Sequence, residues 1–141
     1  DYDKALDYYG RSLAIREEVG DMTGMGFSLN QIGGAHSNKG DYNKSLDYSG
    51  RALAIQEKIG DKRGMGNTLN IIGVIHSHIG DYDKALDYYG RSLAIREEID
   101  DKHDIAQTLS NIGYVNNIKG DKDSIMGLPI KQILNYIKTS F

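Results

Sequence analysis

Apolar and small residues return along this chain at helical spacing, in blocks of about twenty residues that each close on Gly-Asp. Leu29, Ile32, Gly33 and His36 stand at i, i+3, i+4 and i+7, and the same stripe returns as Leu69, Ile72, Gly73 and His76. It returns again as Leu109, Ile112, Gly113 and the polar Asn116. Between these blocks lies a second kind with a broader face, made of Ala5, Tyr9, Ser12, Leu13 and Arg16 and flanked by Leu6, Ile15 and Val19. Nowhere do four or more apolar and polar residues alternate between turn signals, so no strand is predicted. The pattern predicts seven helices, at about 2–19, 23–39, 42–59, 63–79, 82–99 and 103–119, with one more in the last twenty residues.

Gly20-Asp21, Gly40-Asp41, Gly60-Asp61, Gly80-Asp81 and Gly120-Asp121 supply the punctuation. Glycine accepts the left-handed dihedrals that end a helix, and the following aspartate can cap the next helix by accepting from its free amides. Turns this short make consecutive helices antiparallel neighbours.

The blocks are copies of one another. Asp1-Tyr2-Asp3-Lys4-Ala5-Leu6 opens the chain, Asp41-Tyr42-Asn43-Lys44-Ser45-Leu46 repeats it, and Asp81 begins a third copy, an interval of 40 residues. A period of this order predicts stacked helical units that bury surface mainly against their neighbours. The tandem array covers 1–120: a half repeat at 1–20, full repeats at 21–60 and 61–100, and the start of a last one at 101–120. Residues 121–141 form a divergent terminal helix, expected to kink or restart near Pro129, because proline removes a helical hydrogen bond and biases its predecessor away from helical dihedrals. Beyond it Ile130, Ile133, Leu134, Ile137 and Phe141 make an apolar stripe suited to covering the last repeat.

Composition narrows the function classes. A net charge of -3, with no basic cluster, argues against a nucleic-acid partner, whose binding draws on lysine and arginine to displace counterions. No run approaches the roughly 20 apolar residues of a membrane span. The chain has no cysteine, which removes disulfides and thiolate metal sites. His76 and His78 lie two apart on a helix and point in different directions, so they do not read as a metal pair. The acidic pairs at Asp1 and Asp3 or Asp81 and Asp83 lack the glycine of a calcium loop and read as first-turn helix residues. No serine, histidine and carboxylate set suggests catalysis. No catalytic, cofactor or metal site is therefore expected. Opening mid-repeat at Asp1, the chain reads as part of a longer, cytoplasmic protein.

Leu29, Ile32-Gly33, His36, Gly40-Asp41-Tyr42, Ser45, Ser49 and Ala52-Leu53, repeated through Leu69 to Leu93, resemble the tetratricopeptide repeat. The 40-residue period is longer than the usual one and is similar to a subclass found in spindle-orientation adaptors and in arrays attached to bacterial signalling proteins. The resemblance implies an all-α, right-handed α-solenoid of antiparallel hairpins and a non-enzymatic scaffold for protein partners. It also implies a peptide or helix bound in a groove lined by the first helix of each hairpin. By position, that groove takes Phe27, Asn30, Gln31 and Asn38 from the first such helix, Asn67, Asn70, Val74 and His78 from the second, and Gln107, Ser110, Asn111, Tyr114 and Asn117 from the third. Alternative readings are a self-assembling structural element and a regulatory input module of a larger signalling protein. The half repeat at the start leaves the face of Ala5, Tyr9, Ser12 and Leu13 partly uncovered, which predicts self-association through the terminal helices, either heterologously into open fibres or around a twofold axis, with the closed homodimer the expected outcome.

Overall fold

The computed structural model describes residues 1–126, 134–135 and 137–139. Up to Met126 six helices follow one another: α1 (Tyr2–Val19), α2 (Met22–Asn38), α3 (Tyr42–Ile59), α4 (Lys62–Ile79), α5 (Tyr82–Glu98) and α6 (Lys102–Met126), and the described residues 134–135 and 137–139 are helical too, as the expected seventh helix requires. No strand is present among the described residues. Each helix packs on the next in the chain, α2 with α3 and α4 with α5 most extensively, while α2 touches α4 and α4 touches α6. The result is a solenoid of antiparallel hairpins, in which α2, α4 and α6 form one layer and α1, α3 and α5 the other.

The turns explain the regularity. Gly20, Gly60 and Gly80 sit at φ 74°, 70° and 89°, conformations that a side chain would strain. Across each turn the aspartate amide donates back to the carbonyl five residues earlier: Asp21 to Arg16, Asp41 to His36, Asp61 to Gln56 and Asp81 to His76, all at 2.9 Å. The same aspartates then cap the following helices, as in the 2.9 Å bonds that Gly24 and Gly64 amides donate to Asp21 and Asp61. Where Asp100 replaces glycine it still takes φ 53°, and Asp101 donates to Arg96 O at 3.0 Å.

The expected turn at Gly120-Asp121 does not form: α6 continues through both residues to Met126. Lys122 stands there in place of Tyr42, whose ring lies beside His78 of α4, and of Tyr82, which packs against the cluster of Ala85, Tyr89 and Val115; a lysine brings no such apolar packing to the turn, and the helical hydrogen bonds continue. The expected kink near Pro129 lies outside the described residues. Of the apolar stripe beyond it, Leu134 and Ile137 are described, and both are exposed.

Two apolar clusters hold the stack. Leu13, Leu29, Ile32 and Ala52 form the first, with Leu6, Tyr9, Met25, Tyr48 and Ile55 packed around them. Ala85, Tyr89 and Val115 form the second, joined by Val74, Tyr82, Leu86 and Ile112. Leu53 and Leu93, which the repeat pattern marks as core, are half-buried; the fully buried positions are their neighbours Ala52 and Ser92. A step of one residue turns a helix by about 100°, enough to move a side chain from the centre of a packed face to its border.

Candidate protein-interaction groove

Polar contacts set the spacing of the layer formed by α2, α4 and α6. Asn30 Nδ2 donates to Thr68 Oγ1 at 2.7 Å, and that hydroxyl donates to Gln56 Oε1 at 2.7 Å. Asn111 Nδ2 donates to Asn70 Oδ1 at 3.2 Å. Arg96, buried on α5, donates to the Asp104 carbonyl and to Asn67 Oδ1, each at 3.0 Å, and to Thr108 Oγ1. Burial lowers the pKa of its guanidinium, against the opposing pull of Asp104 and Asp101. These bonds tie one repeat to the next.

The sequence-predicted groove residues therefore divide by role. Asn30, Asn70 and Asn111 bond helix to helix, and Asn67 accepts from Arg96, so their amides are committed to the scaffold. Phe27 and Tyr114 are open to solvent, at 57% and 64% exposure. The predicted residues border several depressions. Phe27, Asn30 and Asn67 border a depression of about 230 Å3 together with Thr23, Gln56, Asp61, Arg63 and Gly64. Val74, His78, Asn111 and Tyr114 border a second of about 230 Å3, completed by Ser77, Ile118 and two tyrosines of α5, Tyr82 and Tyr89. Gln31 and Asn38 line a third against α1, with Tyr2, Ala5 and Tyr9. Gln107, Ser110 and Asn117 are exposed on α6, where no later first-layer helix stands beside them among the described residues.

Sequence reasoning missed Tyr82 and Tyr89, because it took groove residues from first helices alone. The signal was in the Gly-Asp-Tyr turn: a tyrosine immediately after the capping aspartate lies beside the end of a first helix, as Tyr42 does against His78 of the following hairpin, with ring centroids 6.0 Å apart. A fourth depression, lined by Gly80, Asp81, Tyr82 and Asp83, carries Lys119 and Lys122. Arg63 is bound to Asp101 at 2.6 Å, and Lys119, beside the second depression, pairs with Asp83 at 2.7 Å.

A second repeated surface also escaped the sequence. Arg11, Arg51 and Arg91 lie 5.4, 5.2 and 5.2 Å from the ring centroids of Tyr8, Tyr48 and Tyr88. His36 and His76 stack beneath the last two rings at 5.5 and 5.4 Å. Burial lowers the pKa of the His76 imidazole below its ordinary 6.5, against the pull of Asp81. His76 is thus packed and His78 exposed, as their positions on the stripe predict.

A tetratricopeptide repeat family model matches residues 1–58, 24–98 and 64–125. The chain belongs to the tetratricopeptide repeat family. Among solved structures the repeats are similar to BtubC (BKLC) from P. vanneervenii, at 25% identity and TM-score 0.75, covering 85% of this chain and 50% of that one. They are also similar to a signal transduction ATPase with numerous domains from Pyrococcus horikoshii that carries a tetratricopeptide repeat sensor, at 17% identity and TM-score 0.75, covering 99% of this chain and 20% of that one. The apo form of RapI matches at 21% identity and TM-score 0.69, covering 89% of this chain and 50% of that one. The chain thus spans half or less of each of these proteins. No curated protein matches it. Tetratricopeptide repeats are in general protein-interaction modules. No helix among the described residues is long and apolar enough to cross a membrane.

Proposed function

We propose that this chain is a protein-interaction scaffold that holds an extended peptide or a helix of its partner along the layer of α2, α4 and α6. An apolar or aromatic side chain of the partner enters the depression between α4, α5 and α6. The observation that carries this reading is the wall of that depression: Val74, Ile118, Tyr82, Tyr89, His78 and the exposed Tyr114 surround a space with room for one large side chain. Tyrosine at such a site supplies contact area at low entropic cost. Asn30, Asn70 and Asn111 serve the site indirectly, by fixing the helices that form it. The likeness to a repeat sensor in a much larger ATPase supports a related reading, in which the array is the regulatory input of a longer protein. Self-association through the terminal helices is the alternative in which a second copy of the chain is the partner.

A random-peptide display library selected on the immobilised chain tests the groove reading. Selected peptides should carry a large apolar or aromatic residue. Tyr114→Ala should weaken them about tenfold or more, equivalent to about 1.4 kcal/mol, while Tyr48→Ala, on the opposite surface, leaves affinity unchanged. Equal affinity for the Tyr114→Ala and unaltered chains would overturn it.

A further inference from the structure

The depression between α4, α5 and α6 is chemically unlike the same place one repeat earlier. Tyr89, Asn111 and Tyr114 border it, and 40 residues before them stand Ser49, Ile71 and Val74. Asn111 and Tyr114 bring polar groups where the earlier copy has only hydrocarbon, and Tyr89 carries its hydroxyl out to the far end of a ring.

Tyr89 is the unusual member of this set. It is 2% exposed, with its ring lying over Gly73 and packed among Ala85, Val115, Val74 and Leu86. A buried tyrosine hydroxyl usually finds a hydrogen-bond partner, and this one has none among the described residues. Nor is it sealed in. The unbonded Ser49 hydroxyl is closed off from solvent and the Tyr89 hydroxyl is not, so the little surface left to Tyr89 includes the oxygen. Burial alone raises the pKa of that hydroxyl to about 12, with no hydrogen bond among the causes. Asn111 adds a second group with capacity to spare: its Nδ2 donates to Asn70 Oδ1 at 3.2 Å, which leaves its own Oδ1 as an acceptor.

The remaining walls narrow the choice of occupant. No aspartate, glutamate, lysine or arginine borders the depression among the described residues, so a charged side chain would leave water for a site without a counter-charge. The occupant is therefore neutral. It needs an apolar body to lie against Val74, Ile118 and the tyrosine rings, and a polar tip to meet a hydroxyl that both donates and accepts. Leucine and phenylalanine lack the tip. The indole N–H of tryptophan only donates, which leaves the Tyr89 proton without an acceptor.

We propose that the partner side chain taken up by this depression is a tyrosine, and that the Tyr89 hydroxyl is the group that selects it. The incoming hydroxyl accepts from Tyr89 and offers its own proton to Asn111 Oδ1. This selection rests on the groove reading, that a partner side chain enters between α4, α5 and α6, and adds which side chain it is. Tyr89 sets specificity more than bulk affinity, because the exposed Tyr114 supplies far more of the contact area.

A display-selected peptide, synthesised with tyrosine, phenylalanine or tryptophan at its anchoring position, is the probe. Each form is titrated by calorimetry into the unaltered chain, Tyr89→Phe and Tyr114→Ala. On the unaltered chain the tyrosine form should bind about tenfold tighter than the phenylalanine form, equivalent to about 1.4 kcal/mol. On Tyr89→Phe the tyrosine form should fall to the affinity of the phenylalanine form, whose own affinity hardly changes. The first comparison needs no altered chain, so it decides the matter even if Tyr89→Phe folds poorly. Equal binding of the tyrosine and phenylalanine forms to the unaltered chain, with both weakened by Tyr114→Ala, overturns the tyrosine selection and leaves the groove reading standing. Binding that Tyr114→Ala leaves untouched overturns both. A tyrosine preference that survives in Tyr89→Phe, or a tryptophan form that binds tightest, also overturns the selection by Tyr89.

Discussion

Gly73→Ala and Gly113→Ala make the same chemical change at the same repeat position in two different surroundings. At Gly73 the added methyl meets Tyr89 ring carbons at 2.6 Å, well inside the 3.4 Å at which ordinary contact begins. The ring cannot swing aside, because Tyr89 is 2% exposed and packed among Ala85, Val115, Val74, Leu86 and Ile112. At Gly113 the methyl meets nothing within 4 Å. Both variants gain helix propensity of about 1 kcal/mol. Only Gly73→Ala incurs the cost of overpacking a close-packed interior, about 1–3 kcal/mol. The common gain cancels in the comparison, so Gly113→Ala should be the more stable by about 1–3 kcal/mol. Urea melts followed by circular dichroism, at concentrations low enough to suppress association, measure the difference. Equal midpoints for the two variants would refute the packing argument, and a Gly73→Ala chain more stable than the unaltered protein would refute it more strongly.

Gly90→Ala, on the open face of α5 with no atom within 4 Å, should stabilise by about 0.5–1 kcal/mol in the same melts, and a loss there would mean that face is packed. Leu69→Ala should cost about 2–5 kcal/mol through lost burial and a residual cavity, and half-buried Leu93→Ala clearly less; the reverse order would contradict the observed rotation of the helices. Burial raises the Tyr89 hydroxyl from its ordinary 10.0 to about 12. The folded state thus keeps a proton that the unfolded chain gives up, so stability holds below pH 10 and falls as pH rises towards 12. Tyr89→Phe should flatten that alkaline loss in pH-dependent melts, and an unchanged slope would contradict it. An acidic C-terminal pentapeptide should show no saturable binding in a fluorescence titration, because Arg63 and Lys119 beside the depressions are already paired with Asp101 and Asp83. Binding that disappears when the peptide is amidated would refute this.

The parts of the fold legible in the sequence were those fixed locally. Gly-Asp turns recur because glycine's dihedrals and the aspartate cap are properties of a few consecutive residues, and α1 to α5 begin and end within a residue or so of the expected bounds. Gly120 shows the limit of that logic. Its local signal is intact, but the turn also depends on a tyrosine two residues later finding a surface, and Lys122 has none to seek. The groove was legible as a face and not as a set of roles. Asn30, Asn70 and Asn111 look alike on a helical wheel to residues that await a ligand, and only the neighbouring repeat, some 38 to 41 residues away, shows that their amides are taken. Tyr82 enters the depression from the other layer, a contact that depends on how two helices cross rather than on the spacing within either.

The central claim is that the partner side chain enters between α4, α5 and α6. Amide and methyl chemical-shift mapping of the labelled chain, titrated with a display-selected peptide, tests it most directly. The account predicts perturbations concentrated at Val74, His78, Tyr82, Tyr114 and Ile118. Perturbations concentrated instead at Tyr8, Tyr48 and Tyr88, on the arginine-stacked surface, would contradict it.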